Sequence, residues 1–150
     1  MGRDFLTFWR VETLDAALQA RESIRYAASN QYSRVRVGDT VWLVSVRSGQ
    51  LRLIGRVVVG QVTDRDGAAR ALGTDQLWDA DHYILPTPDS ICRVAEIDIH
   101  HLAPELRFRS AGVSDRLALD EDGAVNGQQL QAMRVLAGDS PRLLAEALGV

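Results

Sequence analysis

Two apolar runs joined by a glycine-bearing turn limit what this chain can become. Val41 to Val46 is β-branched and aromatic, and Leu51 to Val59 is rich in Val, Leu and Ile. Ser48-Gly49-Gln50 separates them, so the stretch predicts two adjacent antiparallel strands. Ahead of them, Val37-Gly38-Asp39 is a turn that delivers the chain into the first strand. Residues 25–36, at the hairpin's mouth, hold two tyrosines, three arginines, two serines and an asparagine. Such a density of rings, guanidinium groups and hydrogen-bonding tips marks this loop as the place to expect a ligand.

The remaining segments alternate between strand and helix patterns. Phe5 to Trp9 is an aromatic-rich first strand. Leu14, Ala17, Leu18, Arg21 and Ile24 recur at helical spacing, which predicts a helix from a Thr13 cap to about Ala27. Thr63 to Gly73 reads as a loop and a short helix closed by Gly73. Tyr83 to Leu85 reads as a short strand, and Ser90 to Ile99 alternates well enough to predict another. Pro104 falls early in a short helix from His101. Phe108 and the following R-S-A-G predict a strand and a turn, and Asp120 to Gly127 an acidic loop. Gln128 to Ala137 then predicts a helix with Leu130, Met133 and Leu136 on one side, and Pro141 to Leu148 a last one. One domain over residues 1–150 is expected, with C-terminal helices from about 126. The mixture implies an α+β fold with a strongly bent or barrel-like sheet.

Charge excludes a general nucleic-acid coat. The net charge is −3, and all 17 basic residues are arginine. Residues 1–75 carry 11 Arg against 8 acids, a net of +3, and residues 76–150 carry 6 Arg against 12 acids, a net of −6, which together give −3. A local basic face on an acidic body fits these values, and arginine suits bidentate phosphate contact and stacking. No apolar run approaches the length of a membrane span, and the start of the chain carries no secretory pattern, so the cytoplasm is the expected compartment.

Catalytic and metal-binding patterns are weak. Cys92 is the single cysteine, which leaves no internal disulfide and no cysteine-built metal site. It reads as a small hydrophobe in a strand. Cys92 with His100 and His101 does not make a thiol–imidazole pair, because the residues lie far apart along one predicted strand. Asp79, Asp81 and His82 lack the longer pattern of a hard-cation loop. No phosphate loop, dinucleotide fingerprint or nucleophile elbow occurs. The expectation is a protein that is not an enzyme and carries no cofactor.

The aromatics divide by position. Trp9 and Trp42 fall in predicted strands, where core packing is the first reading. Tyr32 and Trp78 fall in predicted loops, where a ring serves either as a ligand wall or as an anchor. A flat base between two such rings needs no hydrogen-bond match to stack.

The stretch Ser23–Val62 resembles the PUA-like superfamily, in particular its EVE and YTH branches. S-I-R-Y-A-A-S at Ser23–Ser29 is similar to the helix-end segment of YTH domains. R-V-R-V-G-D-T-V-W at Arg34–Trp42 is similar to the EVE stretch in which a Val-Gly-Asp turn enters an apolar strand. L-I-G-R-V-V-V at Leu53–Val59 is similar to the family strand that follows. The resemblance covers about residues 5–100. It implies a strongly curved mixed sheet flanked by helices, with a pocket at the end of the first helix that takes a flipped or unpaired base. The cage Trp of YTH domains falls on Ser29 here, so EVE-like readers of modified cytosine are the closer match.

The resemblance therefore implies a binding module for a modified or flipped nucleotide, in DNA ahead of RNA, as the recognition part of a restriction or defence system. Any cleavage would come from a separate nuclease partner. Its nucleotide-binding set is Trp9, Arg25, Tyr26, Ser29, Asn30, Tyr32 and Trp78, with Arg34 and Arg36 on phosphates. Tyr32 and Trp78 would stack on the base, while Ser29 and Asn30 would read its edge. The alternative is a regulatory or interaction protein that uses the same fold for a protein partner or a small metabolite.

Overall fold

The hairpin is the centre of the sheet. A computed structural model describes residues 2–109 and 114–150. Strands β1 (Asp4–Phe8), β2 (Ala27–Ala28), β3 (Thr40–Arg47), β4 (Gln50–Thr63), β5 (Tyr83–Pro86), β6 (Ile97–Asp98), β7 (Arg107–Arg109) and β8 (Arg134–Ala137) form one mixed sheet. Helices α1 (Val11–Gln19), α2 (Arg65–Leu72) and α3 (Ser140–Leu148) flank it. The strand order is β2-β5-β4-β3-β1-β8-β7, with β6 also on β4. β1 and β3 run parallel, and the other pairs among the described residues are antiparallel. As expected, β3 and β4 are antiparallel neighbours. Their turn is tighter than the sequence implied: Arg47 pairs with Gln50, leaving Ser48 (φ 51°) and Gly49 (φ 77°) as two left-handed turn residues. That turn matches the natural twist of a hairpin.

The sheet does not close. A barrel-like sheet was expected, but β2 and β7, at the two ends of the order, do not pair with each other. They hold two and three residues, too few to carry a ladder around. Bending is instead concentrated in β4, whose register slips against β3 at Leu43/Val44 and against β5 between Val59 and Gln61. Such bulges bend a strand and change which way its side chains point. Leu51 and Leu53 face one core, whereas Val57 and Val59, at the same odd spacing, face the other. At the bulge, a Cβ on Gly55 would lie 2.6 Å from Ile24 Cδ1, so glycine lets that side chain close on the strand.

Apolar layers cover both faces of the sheet, which explains why β3 and β4 read as nearly unbroken hydrophobic runs. Phe5, Val41 and Leu43 join Leu14, Ala17, Tyr32 and Val57 on one side. Leu6, Trp42 and Val44 join Leu102, Phe108, Leu130 and Leu144 on the other. The Val37-Gly38-Asp39 turn is pinned by its buried carboxylate, which accepts the backbone N–H groups of Arg3 and Arg36, each at 2.8 Å.

Three predicted elements differ. The first helix ends at Gln19 rather than about Ala27, because Arg21 turns left-handed (φ 54°). Its N–H donates to Leu18 O and that of Glu22 to Ala17 O, the pairing of a Schellman stop. The predicted strand Ser90–Ile99 is laddered only at Ile97–Asp98; Ser90 closes a 3-10 turn (Pro88–Ser90), and residues 92–94 bond to the segment at Glu22–Ile24, with an isolated bridge between Arg93 and Ser23. The predicted helix Gln128–Ala137 is a 3-10 turn (Gly127–Leu130) followed by β8. Leu130, Met133 and Leu136 have helical spacing, but Met133 enters one core and the two leucines the other. Strand pairing to β1 and β7 overrides the local pattern. The strand at Phe108, helix α2 closed by Gly73, strand β5 and helix α3 follow expectation, as does a 3-10 segment at His100–Glu105. The turn expected at 110–112 lies outside the described residues.

Candidate functional site

Trp9 follows β1 directly and is fixed by its backbone: its N–H donates to Val44 O at 2.8 Å, and its carbonyl accepts from Ser45 Oγ at 2.8 Å. Trp9 is 9% exposed and shares a core cluster with Ile24, Ala27 and Tyr32 from the chain between α1 and β3. That chain contains the 3-10 turn Asn30–Arg34, capped by Ser29 Oγ, which accepts the Gln31 N–H at 3.0 Å.

Trp78 meets Trp9 from the loop between α2 and β5. The rings are 5.1 Å apart and nearly perpendicular, and Tyr26 lies 5.6 Å from Trp78 on another side. The Trp78 loop is held by main-chain bonds rather than by its indole. The Trp78 N–H donates to the Tyr26 hydroxyl at 3.1 Å, and the Trp78 carbonyl accepts from the Tyr83 hydroxyl. Arg65 reaches the carbonyls of Asp75, Leu77 and Trp78 and pairs with Asp79 at 2.9 Å. The indole itself stays 40% exposed. Burial pushes the Tyr26 hydroxyl pKa up, opposed by its bond to Trp78.

Trp9 and Trp78 form a shared wall between two cavities. One, of about 420 Å³, is lined by Ile24, Arg25, Tyr26, Leu72, Leu77 and Val94 among others. The second, of about 350 Å³, is lined by Thr7, Arg10, Thr13, Ser29, Gln31, Tyr32 and Gln131 among others. The first is the more apolar, and hydroxyl and amide groups line much of the second. Both volumes fall within the range of about 300–1,000 Å³ usual for small-ligand sites.

The expected residues thus distribute unevenly. Trp9 and Trp78 touch both cavities, Arg25 and Tyr26 the first, Ser29 and Tyr32 the second. Tyr32 is buried, in hydrogen-bonding contact with the Thr7 side chain, and burial pushes its hydroxyl pKa up to about 12. Asn30 lines neither cavity; its Oδ1 accepts the Asp81 N–H at 2.8 Å and so ties the 3-10 turn to the Trp78 loop. Arg25, Arg34 and Arg36 are all exposed, but they do not share one cavity. Arg34 lines a third one, and Arg36 folds back onto Ser33 O and Val35 O.

Sequence reasoning missed Thr7, Arg10, Thr13, Gln31 and Gln131 as lining groups. Gln31 Nε2 donates to Gln131 O at 2.9 Å and Gln31 Oε1 accepts the Met133 N–H, a link across about a hundred residues that leaves no local signal. Thr7 and Arg10 flank Trp9, so proximity to that ring was the only clue available. Among the described residues, no three His, Cys, Asp or Glu side chains group as metal ligands, and no helix is long and apolar enough to cross a membrane. The chain matches no protein-family model and no curated protein.

Proposed function

We propose that this chain is a non-enzymatic, PUA-like module of the EVE kind that binds a modified or unpaired nucleotide, in DNA ahead of RNA. The observation that carries the reading is the Trp78 indole. It is two-fifths exposed between two cavities, on a loop whose main-chain bonds hold it in place without help from the ring. A large ring kept half in water offers a stacking face, and stacking accepts any base. Thr7, Thr13 and Ser29 bring hydroxyls to the second cavity, while the Tyr32 ring, 1% exposed, packs behind them in the core. Discrimination of one base from another then falls to those polar tips. Arg25 and Arg34 stand at the margins as phosphate partners. Where such recognition serves a restriction or defence system, strand cleavage falls to a separate nuclease partner.

The apolar first cavity favours a second reading, a small apolar metabolite held against Ile24, Leu72 and Leu77. Salt separates the two. Binding of oligonucleotides with and without methylated or hydroxymethylated cytosine, followed by fluorescence anisotropy from low to high salt, is expected to weaken steeply as salt rises. Replacing Arg25, Arg34 and Arg36 by alanine is expected to flatten the slope by roughly 0.7–0.9 per lost phosphate contact. Oligonucleotide binding that is absent, or unchanged in the triple variant, would favour the metabolite reading.

A further inference from the structure

The third cavity, of about 460 Å³, lies on the sheet's β8 side and gathers Arg34, Arg109, Arg116 and Arg134. Among the described residues, no carboxylate lines it. Ion pairs among the described residues use Arg47, Arg52, Arg65 and Arg142, and none uses these four. Arg34, Arg109 and Arg116 are exposed. Arg134 is half-buried, its guanidinium 4.1 Å from the Phe108 ring centroid and donating to Ser114 O at 2.6 Å. Burial lowers its pKa, with no anion beside it to offset the cost. Four cations around one basin repel one another, and an anion placed between them relieves that repulsion.

The basin neighbours the second aromatic cavity, its lining residues following on from that cavity's in the chain. Ser29, Gln31 and Tyr32, early in the 3-10 turn and at its cap, line that cavity, and Arg34, at the turn's end, lines the basin. At about 2.0 Å of rise per residue, Gln31 and Arg34 are about 6 Å apart along the turn, within about two base steps of a strand at about 3.4 Å each. On the far wall, Gln131 lines the cavity and Gln129 and Met133 the basin, and the Gln31 amide clamps the two walls together.

We infer that the Arg34–Arg109–Arg116–Arg134 basin is a phosphodiester-binding site that holds the strand flanking the nucleotide in the aromatic cavity. The inference rests on the nucleic-acid reading above and adds to it the direction in which the strand leaves the cavity. Guanidinium forks suit the paired oxygens of a phosphate. Contacts to phosphate fix register without reading sequence.

The test is a salt titration of single-stranded oligonucleotide binding to the full chain. Arg109→Ala/Arg116→Ala removes two exposed side chains and leaves the half-buried Arg134 in place. It is expected to lower the salt slope by about 1.4, equivalent to about 25-fold in affinity at 0.1 M salt, while the preference among base modifications stays unchanged. Arg109→Lys/Arg116→Lys is expected to keep most of the slope. Arg70→Ala/Arg142→Ala, an equal charge change away from the basin, is expected to move it little. A double alanine variant with the parent's slope, or a control pair that flattens it equally, would overturn the basin assignment while leaving the base-binding reading intact. Efficient displacement of the oligonucleotide by equimolar tripolyphosphate would overturn it in favour of free phosphate. A parent with full salt slope but no base preference would instead sink the base reading and keep the basin. No binding of any oligonucleotide at 50 mM salt would end both.

Discussion

Replacing Trp78 by alanine separates a binding ring from a structural plug. An enclosed indole buries about 150–250 Å². With Trp78 40% exposed, about 90–150 Å² is withdrawn from water, which at about 25 cal/mol per Å² gives roughly 2–4 kcal/mol as an upper bound. The edge-to-face contact with Trp9 contributes about 0.5–1.5 kcal/mol beyond burial. For a domain of this size, each kcal/mol lowers Tm by about 2–4 °C, so a fall on the order of 5–20 °C is expected. The loop should nevertheless persist, because Tyr26, Tyr83 and Arg65 hold the backbone at position 78 rather than the ring. Below that lowered Tm, loss of one stacking face should weaken oligonucleotide affinity by about 1–3 kcal/mol, or roughly 5- to 150-fold. The arginines are untouched, so the loss should be the same at low and high salt. Calorimetric melting and anisotropy at 15–20 °C make the two measurements on one sample. A folded variant that binds every oligonucleotide as tightly as the parent would refute the stacking role. A variant that merely melts early, with parent affinity when folded, would make Trp78 an anchor.

Two further outcomes concern the frame of the site. Asp39→Ala strips the buried acceptor from the Arg3 and Arg36 N–H groups and should cost about 2–5 kcal/mol in urea unfolding; Asp39→Asn, which keeps one acceptor oxygen, should lose about half as much, and parent-like midpoints for both would show the turn to be held elsewhere. Tyr32, with its hydroxyl raised to about 12, stays protonated in the fold at a pH where the unfolded chain, titrating near 10, has already ionised. Its contribution is complete below pH 10 and fades as pH rises to about 12, at about 1.4 kcal/mol per pH unit. Chemical denaturation at pH 9 and pH 11 should show that loss in the parent and a smaller one in Tyr32→Phe, and an equal loss in both would place the alkaline sensitivity on other groups.

The sequence by itself determined those parts of the protein that short-range rules govern. The β3–β4 hairpin was legible from two β-rich runs and a Gly-bearing turn, α2 from its closing Gly73, and α3 from its apolar spacing after Pro141. Trp78 stood out because a large ring in a polar loop has no local reason to be there. Other features needed the folded chain. The helical spacing of Leu130, Met133 and Leu136 was real, yet β1 and β7 offered unpaired backbone, and ladder bonds with burial on two faces outweighed one turn's propensity. Nothing local announced that Arg21 would stop α1, since a non-glycine residue takes a left-handed conformation only when its surroundings favour it. The cavities, too, are products of distance: Trp9 and Trp78 are separated by more than sixty residues and Gln31 and Gln131 by a hundred. The arginine basin makes the point most sharply. Residues 76–150 sum to −6, but Arg109, Arg116 and Arg134 from that acidic half converge with Arg34 around a cavity that no carboxylate among the described residues lines. Summed charge is a property of the chain, whereas potential depends on where each charge stands, and only tertiary packing assigns those places.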